Sequence, residues 1–180
     1  MVSLRTIGVA VGIPEPYAAE LQKWRESLGD PLALAIPPHV TLVPPTEVAP
    51  ADLPLIEKHL EAVAAQQWPF EMQLRGTGSF RPVSPVVFVS VATGISGCER
   101  LETAVRTGPL DRPRRFNYHP HVTVAHDVSE EMLDRAFVEL SDYHAEFDVV
   151  QFGLFERDAD GVWRTELEFP LTGATRPLTR

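Results

Sequence analysis

The sequence predicts an α+β fold, α and β mixed, in one domain over residues 1–180. Two lobes of the form β-α-β-α-β are expected, with antiparallel-rich sheets facing a central cleft. Three observations predict it. Strand-like and helix-like patterns alternate along the chain and then restart in the same order. The tetrad Pro-His-Val-Thr occurs twice, at Pro38–Thr41 and again at Pro120–Thr123, an offset of 82 residues. Seventeen prolines in 180 residues favour short, sharply ended elements over a bundle of long helices.

Arg5–Ile13 alternates, with Ile7, Val9 and Val11 on one side, and reads as a strand. Pro14 and Pro16 suit entry into a helix, where Leu21, Trp24 and Leu28 recur at helical spacing. His39–Val43 is a short strand closed by Pro44 and Pro45. Ala51–Gln67 is a helix with Leu55, Ile56, His59, Leu60 and Val63 on its buried side, and Phe70–Gly76 is a strand followed by a turn-rich stretch. The order then restarts. Val86–Thr93 reads as a strand, and Ser96–Gly108 as a helix capped by Ser96 and ended by Gly108. His121–Ala125 is a strand. The helix after it opens on a serine cap and an acidic first turn and turns Met132, Leu133, Ala136, Phe137 and Leu140 inward. Phe147–Glu156 and Val162–Phe169 read as a closing hairpin. Lobes of approximately 1–80 and 81–172 result. The offset of 82 also aligns Ile7 with Val89, Val9 with Val91 and Ala10 with Ala92, which reads as an internal duplication about a pseudo-twofold.

Net charge is −9, and the densest basic stretch is Arg112–Arg115. A long nucleic acid is therefore not expected as a general partner, because nonspecific phosphate affinity needs many cations on one face. A small phosphorylated ligand, or the end of an oligonucleotide, needs only a local pocket. Cys98 is the lone cysteine, which leaves no intrachain disulfide and no zinc-ribbon pattern. The N-terminus lacks the form of a signal peptide, and no stretch approaches the roughly 18–20 apolar residues of a membrane span. A cytoplasmic protein without a membrane partner is expected, of unknown oligomeric state.

In a strand, residues i and i+2 share a face. His39 and Thr41 therefore point one way, as do His121 and Thr123, while Val40, Leu42, Val122 and Val124 point into a core. One His-x-Thr carries little weight, since six histidines and twelve threonines give about 0.4 such pairs by chance. Two copies in matching strands, each after a proline, are far more specific. If the lobes pair about a twofold, two imidazoles converge across a cleft and suit concerted acid–base chemistry. The threonine hydroxyls suit nonbridging phosphate oxygens. A cyclic phosphodiester fits, because attack and departure take place on opposite sides of phosphorus. No metal or cofactor is required.

These residues, Pro38–Val43 and Pro120–Ala125, resemble the paired His-x-Thr motifs of the 2H phosphoesterase superfamily, in its 2′-5′ RNA ligase-like, RNA 2′,3′-cyclic phosphodiesterase branch. The resemblance implies a bilobal fold with a V-shaped cleft. It implies metal-independent hydrolysis of 2′,3′-cyclic phosphates, typically to 2′-phosphomonoesters, on small cyclic nucleotides or RNA ends. Some members of that family catalyse reversible 2′-5′ ligation, and others act on ADP-ribose derivatives. Carried over by position, His39 and His121 become the acid–base pair and Thr41 and Thr123 the phosphate binders. Which histidine is the acid stays open, as does a nucleotide-binding module without turnover.

Arg112, Arg114 and Arg115 beside the second motif can meet a phosphate, and Phe80, Phe116 and Tyr118 can stack on a base, although loop solvation and packing are the commoner uses of such residues. His119 and His121 share strand parity and raise a zinc reading, but His126 has the opposite parity and no local carboxylate or cysteine completes a triad. Cys98, at the start of a helix, reads as a buried small residue rather than a nucleophile.

Overall fold

Short apolar strands punctuated by proline and glycine pair into two antiparallel sheets with four helices packed on them, as a computed structural model describing residues 3–174 shows. In chain order the elements are β1 (Arg5–Gly12), α1 (Tyr17–Ser27), β2 (His39–Val48), α2 (Leu53–Gln66), β3 (Phe70–Ser79), β4 (Val86–Thr93), α3 (Ile95–Val105), β5 (His121–His126), α4 (Glu130–Glu139), β6 (His144–Val149), β7 (Gln151–Arg157) and β8 (Trp163–Pro170). One sheet has the order β2-β1-β7-β8 and the other β5-β4-β3-β6. Every pairing is antiparallel. The expected α+β class with two antiparallel sheets is the one observed.

The sheets do not follow the division of the sequence near residue 80. β3, from the first half, lies between β4 and β6, and β7 and β8, from the second half, complete the sheet of β1 and β2. β1 and β4 are central strands buried along most of their length, so each needs a neighbour on both sides, and each takes one from the other half. The segment expected as one strand, Phe147–Glu156, is for the same reason divided: β6 joins one sheet, Val150 is exposed, and β7 joins the other. The buried apolar side chains of both sheets nevertheless form one cluster, running from Ile7 and Val40 to Val89 and Val122.

Other boundaries shift for local reasons. β2 continues through Pro44 and Pro45 to Val48, because it is an edge strand and its register against β1 slips there: Ile7 faces Thr46 and Val9 faces Val43. The cap of α3 is Gly94 rather than Ser96. Gly94 has φ 99°, and a Cβ there would lie 2.7 Å from the Glu71 carbonyl oxygen, so the close crossing of β3 needs glycine. α3 ends at Val105, and Gly108 opens a separate 3-10 turn. Leu55 and Phe137, expected inside, are exposed. The Ser129 cap of α4 is present, its hydroxyl accepting from the Met132 amide at 3.3 Å.

The register refines the duplication. Val40 pairs with Val11 and Val122 with Val89; Gly12 faces His39 and Ser90 faces His121. The offset of 82 thus relates β2 to β5, whereas β1 and β4 are related by 78. Ile7, Val9 and Ala10 are therefore not the counterparts of Val89, Val91 and Ala92. The difference is even, so strand parity survives it. From Gly12 to the start of α1 and from Ser90 to the start of α3 the spacing is the same, and both helices have 11 residues. All four extra residues lie between α3 and β5, in the connection that carries Arg112–Arg115.

Candidate active site

β2 and β5 are the outer strands of their sheets and pass each other with Cα atoms within 8 Å. Val40, Leu42, Val122 and Val124 are fully buried, which turns His39, Thr41, His121 and Thr123 to the opposite face, each half-buried. The two motifs set their imidazoles identically. His39 Nδ1–H donates to the Pro37 carbonyl at 2.7 Å, and His121 Nδ1–H donates to the His119 carbonyl at 2.7 Å. A carbonyl only accepts, so Nδ1 carries the proton in both rings and Nε2 is the unprotonated nitrogen of the neutral ring.

Burial pushes both imidazoles below the ordinary histidine value. The Arg25 charge adds to this at His39, and the charges of His119 and His39 add to it at His121. Phe80 stands edge-on to His121 with centroids 4.8 Å apart, and Phe88 lies 5.2 Å away and 4.6 Å from Phe80. The Phe88 ring lies over Gly78, where an added Cβ would come within 2.5 Å of it.

An ion pair braces the connection leading into each motif, buried at Arg25–Asp30 and partly exposed at Glu102–Arg114. Arg25 of α1 donates to Asp30 at 3.0 Å and to the carbonyls of Leu32 at 3.0 Å and Ile36, holding the chain that enters β2. In the second lobe the charges are reversed. Glu102 of α3 accepts two bonds from Arg114, at 2.7 and 3.0 Å, and holds the chain that enters β5. The helix supplies the cation in one lobe and the anion in the other, so only the second connection carries arginines.

Two openings meet at Thr41. A small one of about 80 Å³ lies beside His39, walled by Ile36, Pro37, Pro45, Phe155 and Trp163. A large one of about 1020 Å³ lies on the β5 side, and His121, Phe80, Tyr118 and Arg115 are among its walls. The Tyr118 hydroxyl crosses between the lobes and donates to the Thr41 carbonyl at 2.9 Å; burial raises its pKa, keeping it a donor. Thr123 faces Phe88 on the ladder and is not a wall of either opening. Of the residues singled out in the sequence, His121, Phe80, Tyr118 and Arg115 wall the large opening, His39 walls the small one, Thr41 borders both, and Thr123 borders neither. Sequence reasoning missed the Arg25 and Glu102 braces, Gly78 under Phe88, and the Trp163–Phe155 wall. None has a local pattern.

His119 lies 6.0 Å from His121 between ring centroids, and its carbonyl holds His121 Nδ1. Among the described residues no group of three or more His, Cys, Asp or Glu side chains is arranged to hold a metal ion. Cys98 is fully buried and its thiol is pushed up to about 12 by desolvation, which removes it as a nucleophile. Among the described residues no helix is long and apolar enough to cross a membrane.

The profile of the 2′-5′ RNA ligase superfamily matches residues 13–161. A provisionally named phosphoesterase of Bacillus mycoides is 27% identical over 146 residues, 79% of this chain and 83% of its own length. A second, from Halalkalibacterium halodurans, is 31% identical over 104 residues, 58% of this chain and 60% of its own. Among solved structures, TT0787 of Thermus thermophilus superposes with TM-score 0.61 at 25% identity, covering 94% of this chain and 100% of that one. Apo LigT of E. coli superposes with TM-score 0.68 at 20% identity, covering 94% and 99%, a likeness of fold.

Proposed function

The chain belongs to the 2′-5′ RNA ligase superfamily, among the 2H phosphoesterases, and from that premise we propose that it is a metal-independent phosphodiesterase that opens the 2′,3′-cyclic phosphates of RNA ends or nucleotides to 2′-phosphates. One observation carries the reading. Two imidazoles on facing strands are held by the same carbonyl tether, each presents Nε2, and each has a threonine two residues on. One neutral Nε2 takes a proton from the water that attacks phosphorus. The other imidazole, protonated, gives its proton to the departing 3′ oxygen as the P–O3′ bond breaks. Thr41 and Thr123 donate to the nonbridging oxygens, where charge grows in the transition state. Reversible ligation would use the same pair: a 5′ hydroxyl in place of water attacks the cyclic phosphate as P–O3′ breaks, leaving a 2′-5′ linkage, and the return step, attack of the 3′ hydroxyl with departure of the 5′ oxygen, exchanges the roles. LigT of E. coli has been solved with 3′-AMP, with phosphate, with NADP+ and with ATP, which supports a nucleotide phosphate as the ligand class here.

The test is turnover of 2′,3′-cyclic AMP in EDTA. His39→Ala and His121→Ala are each expected to lower kcat by about 10²–10⁴-fold, the range for a general acid or base. Near-normal turnover in either variant overturns the two-histidine mechanism. Loss in EDTA with recovery on zinc overturns metal independence. Nucleotide binding without turnover of any cyclic phosphate would leave a binding module.

A further inference from the structure

We propose that the connection between α3 and β5 forms a second anion subsite, which takes the phosphate of the nucleotide adjoining the reacting one and directs the cleft toward oligonucleotide ends rather than cyclic mononucleotides. This rests on the reading of His39 and His121 as the reacting pair. The connection is where the two lobes depart from symmetry, being four residues longer than its counterpart between α1 and β2. In a chain of net charge −9 it gathers the cations. Arg106, Arg112, Arg114 and Arg115 all border the large opening, and Glu102 is the one carboxylate among its walls.

Glu102 accepts two hydrogen bonds from Arg114 and also pairs with Arg106 across 3.5 Å, so one carboxylate faces two guanidinium groups and none is left for Arg112 and Arg115. Arg106 is the telling residue. Its side chain is 9% exposed, and its Nε is buried without a hydrogen-bond partner, 3.5 Å from Glu102 Oε1. Its Nη2 donates only to the Arg112 carbonyl, at 3.2 Å. A buried guanidinium left short of partners is costly, and an anion entering the opening would supply what is missing. Arg112 bonds only the Asp111 carbonyl, and neither Arg112 nor Arg115 forms an ion pair among the described residues. The acid at Asp111 is not a wall of the opening.

Size and surface agree with charge. The opening beside His39, at about 80 Å³ and without a cation, is too small for a nucleotide, while the β5 side offers about 1020 Å³. Two large apolar side chains stand on the lips of that side, Phe116 at 74% and Val83 at 81% exposure. An aromatic ring presented to solvent beside free guanidinium groups suits a base stacked next to a bound phosphate.

The experiment compares the affinities of 2′-AMP and of a diribonucleotide carrying a terminal 2′-phosphate, by calorimetry at low and high salt. The diribonucleotide is expected to bind about tenfold more tightly, with the preference shrinking at high salt. In Arg112→Ala/Arg115→Ala the ratio of the two affinities is expected to fall toward one. The ratio is internal to each protein preparation, so partial unfolding does not mimic the effect. Equal affinities in the wild type, or a preference that survives the double substitution or high salt, overturns the subsite. Failure of cyclic substrates to turn over would instead sink the two-histidine mechanism and leave the binding ratio to decide the subsite.

Discussion

At the scale of single residues, two carbonyls choose which imidazole nitrogens would react in the proposed mechanism. The oxygens of Pro37 and His119 fix the tautomers of His39 and His121, and burial holds both rings below the ordinary pKa. The consequence is a pH dependence of definite sign. The rate of a base–acid pair follows the product of one deprotonated and one protonated fraction, and peaks midway between the two pKa values. Since both lie below 6.5 in the free protein, kcat/KM for a cyclic mononucleotide is expected to peak on the acid side of 6.5 and to fall as pH rises further. A bound phosphate anion favours imidazolium, so the kcat profile is expected to sit at higher pH. A kcat/KM maximum above 6.5 would contradict this setting of the rings. The His-x-Thr pairs were legible in the sequence because strand parity is local: knowing that Val40 and Val122 are inside places His39 and His121 outside. Arg106 was not legible, since a buried cation without a full set of partners looks like any other arginine in a chain.

At the scale of elements, glycine misleads a sequence reading. Gly76 is expected to end its strand and Gly78 to lie in a turn, yet β3 runs through both to Ser79. Gly76, at φ 70°, sits where the register of β3 against β4 shifts, and Gly78 makes room for the Phe88 ring. Gly153, beside β1 in the other sheet, stands similarly close to Phe155, with a Cβ contact of 3.0 Å. In one sheet the glycine lies on the strand next to that of the ring, and in the other it shares β7 with the ring. Gly78→Ala is accordingly expected to drive Phe88 against Phe80 and His121. We expect a loss of about 1–3 kcal/mol in stability by chemical denaturation, as for other overpacked sites, together with a reduced kcat/KM. Unchanged stability would mean that Phe88 moves aside freely and does not set His121. The helices and their spacing were readable from periodicity. The Ser96 cap was misplaced because Gly94 is required by the crossing of β3, an element distant in sequence.

At the scale of the whole molecule, the duplication is visible in sequence but its strand exchange is not. Pattern within β3 and β7 says that they are strands; which sheet receives them depends on chain path, which no local pattern encodes. The exchange joins the lobes beyond a shared surface. Residues up to Phe80 retain one sheet pairing of their own, β1 with β2, because both partners of β3 and the second partner of β1 come from later in the chain. An isolated two-stranded ribbon is marginal in water. The fragment 1–80 is therefore expected to lack a cooperative unfolding transition, and 81–180 likewise, since it loses β3 from the middle of one sheet and β1 from the middle of the other. Mixed or coexpressed, the two fragments are expected to fold together, because the cut falls in the turn between β3 and β4 and removes no strand from either sheet. Circular dichroism and calorimetry on the fragments, apart and combined, check this. A half that melts cooperatively alone would mean that the lobes are independent domains and that the exchanged strands are not what unites them. If instead only the combination folds and turns over cyclic phosphate, then the facing of His39 and His121 is a product of the exchange itself: each imidazole sits on an edge strand beside β1 or β4, and each of those central strands is completed by the other half.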